Sequence, residues 1–261
     1  MKLKYEFIVA LLVGLICTAA IAQDKPASTT EPKRVEIELS TSYESLNHGY
    51  APWLSLSLDV SKKLANRRVI YGALRETSRF SLRDQEVMGG VYIPLGKRWL
   101  AQVEASGSPS HRVQAKWSVF GQLGRELARG WVAQAGFRRT AYNQTSVNLS
   151  ILSLERYWKN YRAAYSLYVS HLPGVGVSTS HSLQANYYYR ERNALGVTVA
   201  AGQELTNLGA RGLLRTEARG VALSGQHWLG QRWTVNYALN WNQQGDIYTR
   251  KGARVGFRFH F

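Results

Sequence analysis

The sequence predicts an all-β protein: a single closed antiparallel transmembrane β-barrel of fourteen strands, with twelve as the smaller alternative. Three observations carry this reading. Short segments in which apolar and polar residues alternate follow one another from Val35 to Phe261, with turn signals between them. The last segment sets Val255, Phe257, Phe259 and Phe261 on one side and Arg254, Gly256, Arg258 and His260 on the other. A strand has period two, so this one has an apolar face and a polar face, and an outward row of phenylalanines is stable where lipid meets it. The opposite end of the chain reads as an export signal.

Residues 1–22 are expected to be that signal peptide. Lys2 and Lys4 form its basic start, the apolar run 7–16 is too short for a spanning helix, and Ala20-Ile21-Ala22 is a small-residue cleavage site. The single cysteine, Cys17, lies inside it, so disulfides and thiolate metal sites are excluded from the exported chain. Residues 23–34 are polar, with Pro26 and Pro32, and read as a flexible periplasmic leader. Residues 35–261 form the barrel. No later stretch approaches the apolar length of a spanning helix.

The expected strands are 35–44, 53–61, 69–77, 84–93, 98–106, 112–123, 131–142, 145–157, 161–171, 181–190, 195–203, 215–227, 231–243 and 247–261. Leu54, Leu56, Leu58 and Val60 alternate with Ser55, Ser57 and Asp59, for example, and Trp233, Val235, Tyr237, Leu239 and Trp241 with Thr234, Asn236, Ala238 and Asn240. The third and twelfth segments alternate weakly, which leaves twelve strands open. An even count puts both ends of the barrel segment on one side of the membrane. A soluble sandwich or lipocalin-like barrel would also alternate, but would turn its apolar face inward and would not need aromatic residues at strand ends.

The connections repeat. Leu95-Gly96-Lys97-Arg98-Trp99 recurs as Leu229-Gly230-Gln231-Arg232-Trp233, and more loosely as Leu127-Ala128-Arg129-Gly130-Trp131. Each is a tight basic turn followed by a strand-initiating Trp. Trp99, Trp131, Trp158, Trp228 and Trp233 all fall at turns of the periplasmic side and are expected to form a membrane-interface girdle, since an indole has an apolar body and one N–H donor. The expected outward loops, 45–52, 107–111, 172–180 and 204–214, are short.

The formal charge of +16 fits two placements. Basic side chains sit in turns and loops beside anionic outer-membrane lipids and lipopolysaccharide, or they line the lumen and select anions. Nucleic acid is excluded as a partner by the export signal and by the lack of any recognition helix. Lumen-lining candidates are Arg138, Arg162, Arg190, Arg254 and Arg258, with Glu36, Glu38 and Glu104, and the aromatic residues Tyr92 and Tyr188. The arginines form either a ladder for anionic solutes or ion pairs with the glutamates, many of them in the first strands.

The spacing Arg254-x-Gly256-x-x-Phe259-x-Phe261 resembles the C-terminal signal that outer-membrane barrels present to the barrel assembly machinery. Across residues 35–261 the chain resembles the YaiO-type family of outer-membrane β-barrels. The resemblance rests on Ser42-Tyr43-Glu44, on Gly90-Val91-Tyr92-Ile93-Pro94-Leu95-Gly96 and on the closing Gly256-Phe257-Arg258-Phe259-His260-Phe261. It implies a bacterial outer-membrane location and the barrel fold, and brings no established active-site residues.

Chemistry is sparse. Barrel lipid hydrolases use a His–Ser pair near the outer rim. Ser170 and His171 are adjacent, so they point to opposite faces; Ser180 or Ser182 against His171 is the remaining pairing, with His181 nearby. No metal-ligand spacing or cofactor loop occurs. The expected function is a narrow pore for anionic or saccharide solutes, without catalytic residues. The alternatives are a lipid-modifying hydrolase and a plugged structural barrel.

Overall fold

The structure, a computed structural model, describes residues 35–143, 145–174, 176–207 and 213–261. The expected signal peptide and leader lie outside the described residues, as does the centre of the expected 204–214 loop. The strands are β1 (Val35–Leu46), β2 (Trp53–Lys63), β3 (Val69–Arg79), β4 (Leu82–Leu95), β5 (Trp99–Gly107), β6 (Trp117–Glu126), β7 (Trp131–Ala141), β8 (Ser146–Trp158), β9 (Tyr161–Leu172), β10 (Gly176–Tyr189), β11 (Asn193–Asn207), β12 (Leu213–Leu229), β13 (Trp233–Gln244) and β14 (Tyr248–His260). Each is antiparallel to its sequence neighbour, and β14 pairs with β1 to close the barrel. The weakly alternating third and twelfth segments are both strands, so the count is fourteen.

Register explains which face each residue takes. Glu36 stands opposite His260, Glu38 opposite Arg258 and Ser42 opposite Arg254. These positions form one face, and the polar face is the inner one. Leu74 and Val87 on the other face are each 57% exposed, whereas Thr234 on the inner face is 0% exposed. This is the reverse of a soluble barrel, and places hydrocarbon against the apolar side. Fourteen strands spaced ~4.8 Å apart and tilted ~40° give a backbone radius of roughly 14 Å, wider than the filled eight-stranded case.

The apolar band has aromatic edges. Trp233 and Trp241 lie on the outer face of β13; at ~3.3 Å per residue and ~40° of tilt they stand roughly 20 Å apart along the barrel axis, close to the height of an outer-membrane apolar belt. The turn repeat has a backbone cause: Gly96 and Gly230 adopt φ of 78° and 81°, a region open to glycine and costly for most side chains.

Most strand ends differ from the sequence reading by a few residues, and two strand starts differ by about five. Residues 112–116 were expected in the sixth strand, but β6 begins at Trp117. The Asp84 carboxylate accepts the backbone N–H groups of Val113 and Gln114 at 2.5 and 2.8 Å, and so draws that backbone off the ladder. Conversely, β10 begins at Gly176, because Val177 and Ser178 pair with His171 and Ser170 and shorten the outward connection.

The inside-out arrangement sets a test. Arginine placed at Leu239, in the lipid-facing band, is expected to lower the unfolding free energy in vesicles by about 2–4 kcal/mol. Arginine at Thr198, on the inner face, is expected to cost well under half of that, as read by tryptophan fluorescence during guanidinium titration.

Candidate functional site

The lumen wall holds the polar chemistry, and it begins at the seam where the first and last strands meet. Glu38 is 4% exposed. One of its oxygens accepts a hydrogen bond from Arg254 Nη2 at 2.7 Å; the other accepts from Arg258 Nε and Nη2 at 2.9 and 2.7 Å and from Asn236 Nδ2 at 2.8 Å. Arg258 also reaches Glu36 at 3.5 Å, and Lys63 lies 3.8 Å from the same carboxylate. A Cβ at Gly256 would stand 2.6 Å from Glu38 Oε1 and 2.9 Å from Ser40 Cβ, so a larger residue there would displace the seam carboxylate. The glycine of the expected assembly signal therefore also makes room for the seam carboxylate.

Two further clusters sit round the wall. Glu104 on β5 takes Arg138 of β7 at 3.0 Å and the Tyr71 hydroxyl of β3 at 3.1 Å, and Tyr71 accepts from Gln102 at 2.7 Å. Tyr92 packs beside Tyr71 with ring centroids 5.2 Å apart, and the Arg138 guanidinium lies over Phe120. On β8 and β9, Arg162 Nε donates to Glu155 at 2.9 Å and its Nη1 reaches Gln184 and Asn186. Arg75–Glu86 and Arg250–Glu44 are further pairs on the wall, and Arg112 lies 3.7 Å from Asp84.

The expected lumen residues Glu36, Glu38, Glu104, Arg138, Arg162, Arg254, Arg258, Tyr92 and Tyr188 all lie on the inner face. Arg190 does not. β10 ends at Tyr189, and Arg190 is an exposed turn residue with φ of 48°. Every one of the nine is drawn from a strand; the exception came from a turn, where alternation no longer fixes direction.

Of the girdle residues, Trp99, Trp131, Trp158 and Trp233 lie on the outer face at the turn end, which carries the shorter connections and is the periplasmic one. Trp228 is a correction. It falls on the inner set of β12, opposite Thr234, and stacks on His260 with centroids 4.2 Å apart. Its neighbour His227 takes the outer face instead, stacking on Tyr237 and hydrogen-bonding Tyr189. The abundance of Tyr suits a membrane interface, but the sequence reading assigned only indoles to the girdle and so did not place this tyrosine belt, in which Tyr161 and Tyr187 extend the stack from Trp158.

The catalytic pairing is not formed. His171 and His181 lie on the outer face, the latter sharing a 2.7 Å hydrogen bond with Tyr165, while Ser180 and Ser182 lie on the inner face with the β-sheet between.

Sequence reasoning missed the outer mouth. Trp53, 2% exposed, is sandwiched by the guanidinium groups of Arg79 and Arg250 at 4.7 and 4.5 Å. Phe80 and Tyr248 meet it edge-on. Asp84, 1% exposed, anchors the loop 108–116 against the inner side of β4. The inward parity of Trp53 was available in the alternation of β2; the capture of a loop by Asp84 left no periodic trace.

A family model described as YaiO membrane beta barrel domain matches residues 34–205. No curated protein matches by sequence. Among solved structures, the CymD monoaromatic hydrocarbon channel is similar with a TM-score of 0.58 at 8% identity, over 99% of this chain and 95% of that one. A loop L8 deletion mutant of OmpT, an outer membrane protein of Vibrio cholerae, gives a TM-score of 0.51 at 9% identity, over 87% and 98%. OmpF of Salmonella typhi, in complex with daunomycin, gives 0.51 at 8% identity, over 87% and 97%. At these identities the likeness is one of fold.

Replacing Glu38 by Gln leaves Arg254 and Arg258 facing each other beside a neutral amide. The expected loss of unfolding free energy is about 2–3 kcal/mol, less than for a fully buried pair because the two guanidinium groups keep part of their surface open. Thermal loss of the heat-resistant band on electrophoresis reads it.

Proposed function

The chain belongs to the YaiO membrane β-barrel family of the bacterial outer membrane, and from that premise we propose a narrow pore for small polar solutes of the saccharide and anion classes. The observation that carries this reading is the lumen wall. Arg75, Arg138, Arg254 and Arg258 keep between 22% and 36% of their side-chain surface open although each is held by a carboxylate. Their ion pairs join neighbouring or next-but-one strands and so run along the wall. None of these four pairs crosses the lumen axis, and the radius of roughly 14 Å lies between that of the filled eight-stranded barrel and that of the open channels of sixteen or more strands.

The lining favours saccharides over free anions. Each of these arginines is neutralised in place, so the wall offers hydrogen-bond donors and acceptors more than net charge. Tyr92 and Tyr188 on the inner face suit the apolar faces of a sugar ring. The charge excess lies elsewhere: every turn at the periplasmic end carries a basic side chain, Arg67, Lys97, Arg129, Lys159, Arg190 and Arg232 among them. Such a rim raises the local concentration of anionic solutes at the mouth without fixing them inside.

A structural barrel is the second reading, favoured by the tight Arg–Glu pairing and by the loop 108–116 anchored at the outer mouth. The lipid-hydrolase alternative loses its proposed His171 pairing to the intervening sheet.

Planar-bilayer recording separates the first two. The pore reading expects small unitary currents, partly blocked by oligosaccharide, with Glu38→Gln shifting the reversal potential toward anions. Absence of current in both polarities would overturn it.

A further inference from the structure

We infer that the outer face of β5–β8 carries a binding site for one anionic glycerophospholipid of the inner leaflet, built from two arginine–tryptophan pairs at the foot of a shallow furrow. Each pair bridges two neighbouring strands. Arg125 of β6 stands opposite Trp99 of β5 in register, with its guanidinium 5.0 Å from the indole centroid. Arg156 of β8 stands opposite Trp131 of β7, with its guanidinium 5.2 Å from that ring. Both arginines are exposed, and neither forms an ion pair among the described residues. Stacking covers one face of a guanidinium and leaves its N–H edge free, which is the edge that binds a phosphate in two-pronged fashion.

The wall above these pairs is shaped for an acyl chain. On β7 the outward residues after Trp131 are Ala133 and Ala135, both small. Leu123 of β6 flanks Ala135 on one side, and Leu152 and Leu154 of β8 flank the pair on the other. Arg125 is opposite Ala133, so both guanidinium groups border the lower end of the furrow. With one intervening strand and an offset of two residues, their backbone anchors are roughly 12 Å apart, within reach of one headgroup for two arginine side chains. The furrow opens onto the apolar belt, and its foot is at the periplasmic turns, the level of inner-leaflet headgroups. A phosphodiester with a net negative charge fits this foot; a zwitterionic headgroup brings its own cation against the two arginines.

The test uses the purified full chain in detergent, titrated with phosphatidylglycerol or phosphatidylethanolamine and read by native mass spectrometry. The expected result is one phosphatidylglycerol retained at levels where phosphatidylethanolamine is not, with affinity lowered on the order of thirtyfold in the double variant Arg125→Gln, Arg156→Gln. The turn-tip double variant Lys97→Gln, Arg129→Gln is expected to retain nearly full affinity. Equal retention of the two lipids, or an equal loss in both double variants, overturns the site in favour of diffuse attraction to a basic rim. Should the arginine variant fail to assemble, the unaltered barrel still decides. In mixed vesicles, brominated phosphatidylglycerol must quench tryptophan fluorescence more than brominated phosphatidylethanolamine at equal mole fraction, and equal quenching overturns the proposal.

Discussion

A backbone in hydrocarbon has no water to satisfy its N–H and C=O groups, and that constraint governs this molecule. An open sheet would leave two unpaired edges in lipid. Closure of β14 onto β1 removes both, and it brings together the two ends of a segment more than two hundred residues long. The pairing from Glu36 opposite His260 to Leu46 opposite Arg250 thus holds every other ladder in place. A slip of one residue at this seam would turn either Phe257 and Phe259 of β14 inward or Glu36 and Glu38 of β1 into lipid, so the alternation of both strands enforces the register.

The same closure settles the electrostatics. Arg254 and Arg258 come from the last strand, Glu36 and Glu38 from the first, and no local rule connects them. In a low-dielectric wall a lone charge is costly, whereas a carboxylate with three or more donors is tolerated. Glu38 has donors from Arg254, Arg258 and Asn236, which lie on two strands. The seam is therefore sealed twice, by backbone bonds and by a side-chain network on the inner face. Away from the seam the same economy recurs in shorter range, with Glu104 gathering Arg138 and Tyr71, and Glu155 gathering Arg162.

Charge is consequently sorted by position. Inside, Arg75, Arg138, Arg162, Arg250, Arg254 and Arg258 are held by carboxylates. Outside, near the periplasmic turns, Arg125 and Arg156 have indole faces for company and stay open to headgroups. A lumen wall that is polar without being strongly charged and a basic collar at the periplasmic turns are two consequences of one pattern, in which strands alternate and turns do not.

Strand number, strand faces and nearly all lumen residues were legible in the sequence, because period-two alternation is local and the membrane forces the apolar side outward. The alternation of Trp233 through Trp241, or of Val255 through Phe261, needs no partner to be read. What failed was local in another sense. Arg190 and Trp228 lie at or beside turns, where one residue of phase decides between lumen, lipid and water. The loop 108–116 leaves its strand for Asp84, a contact between residues that share no period. The partner of each charge was likewise decided only by tertiary structure, since Arg254 meets Glu38 through barrel closure, and closure depends on the count and register of all fourteen strands rather than on any one of them.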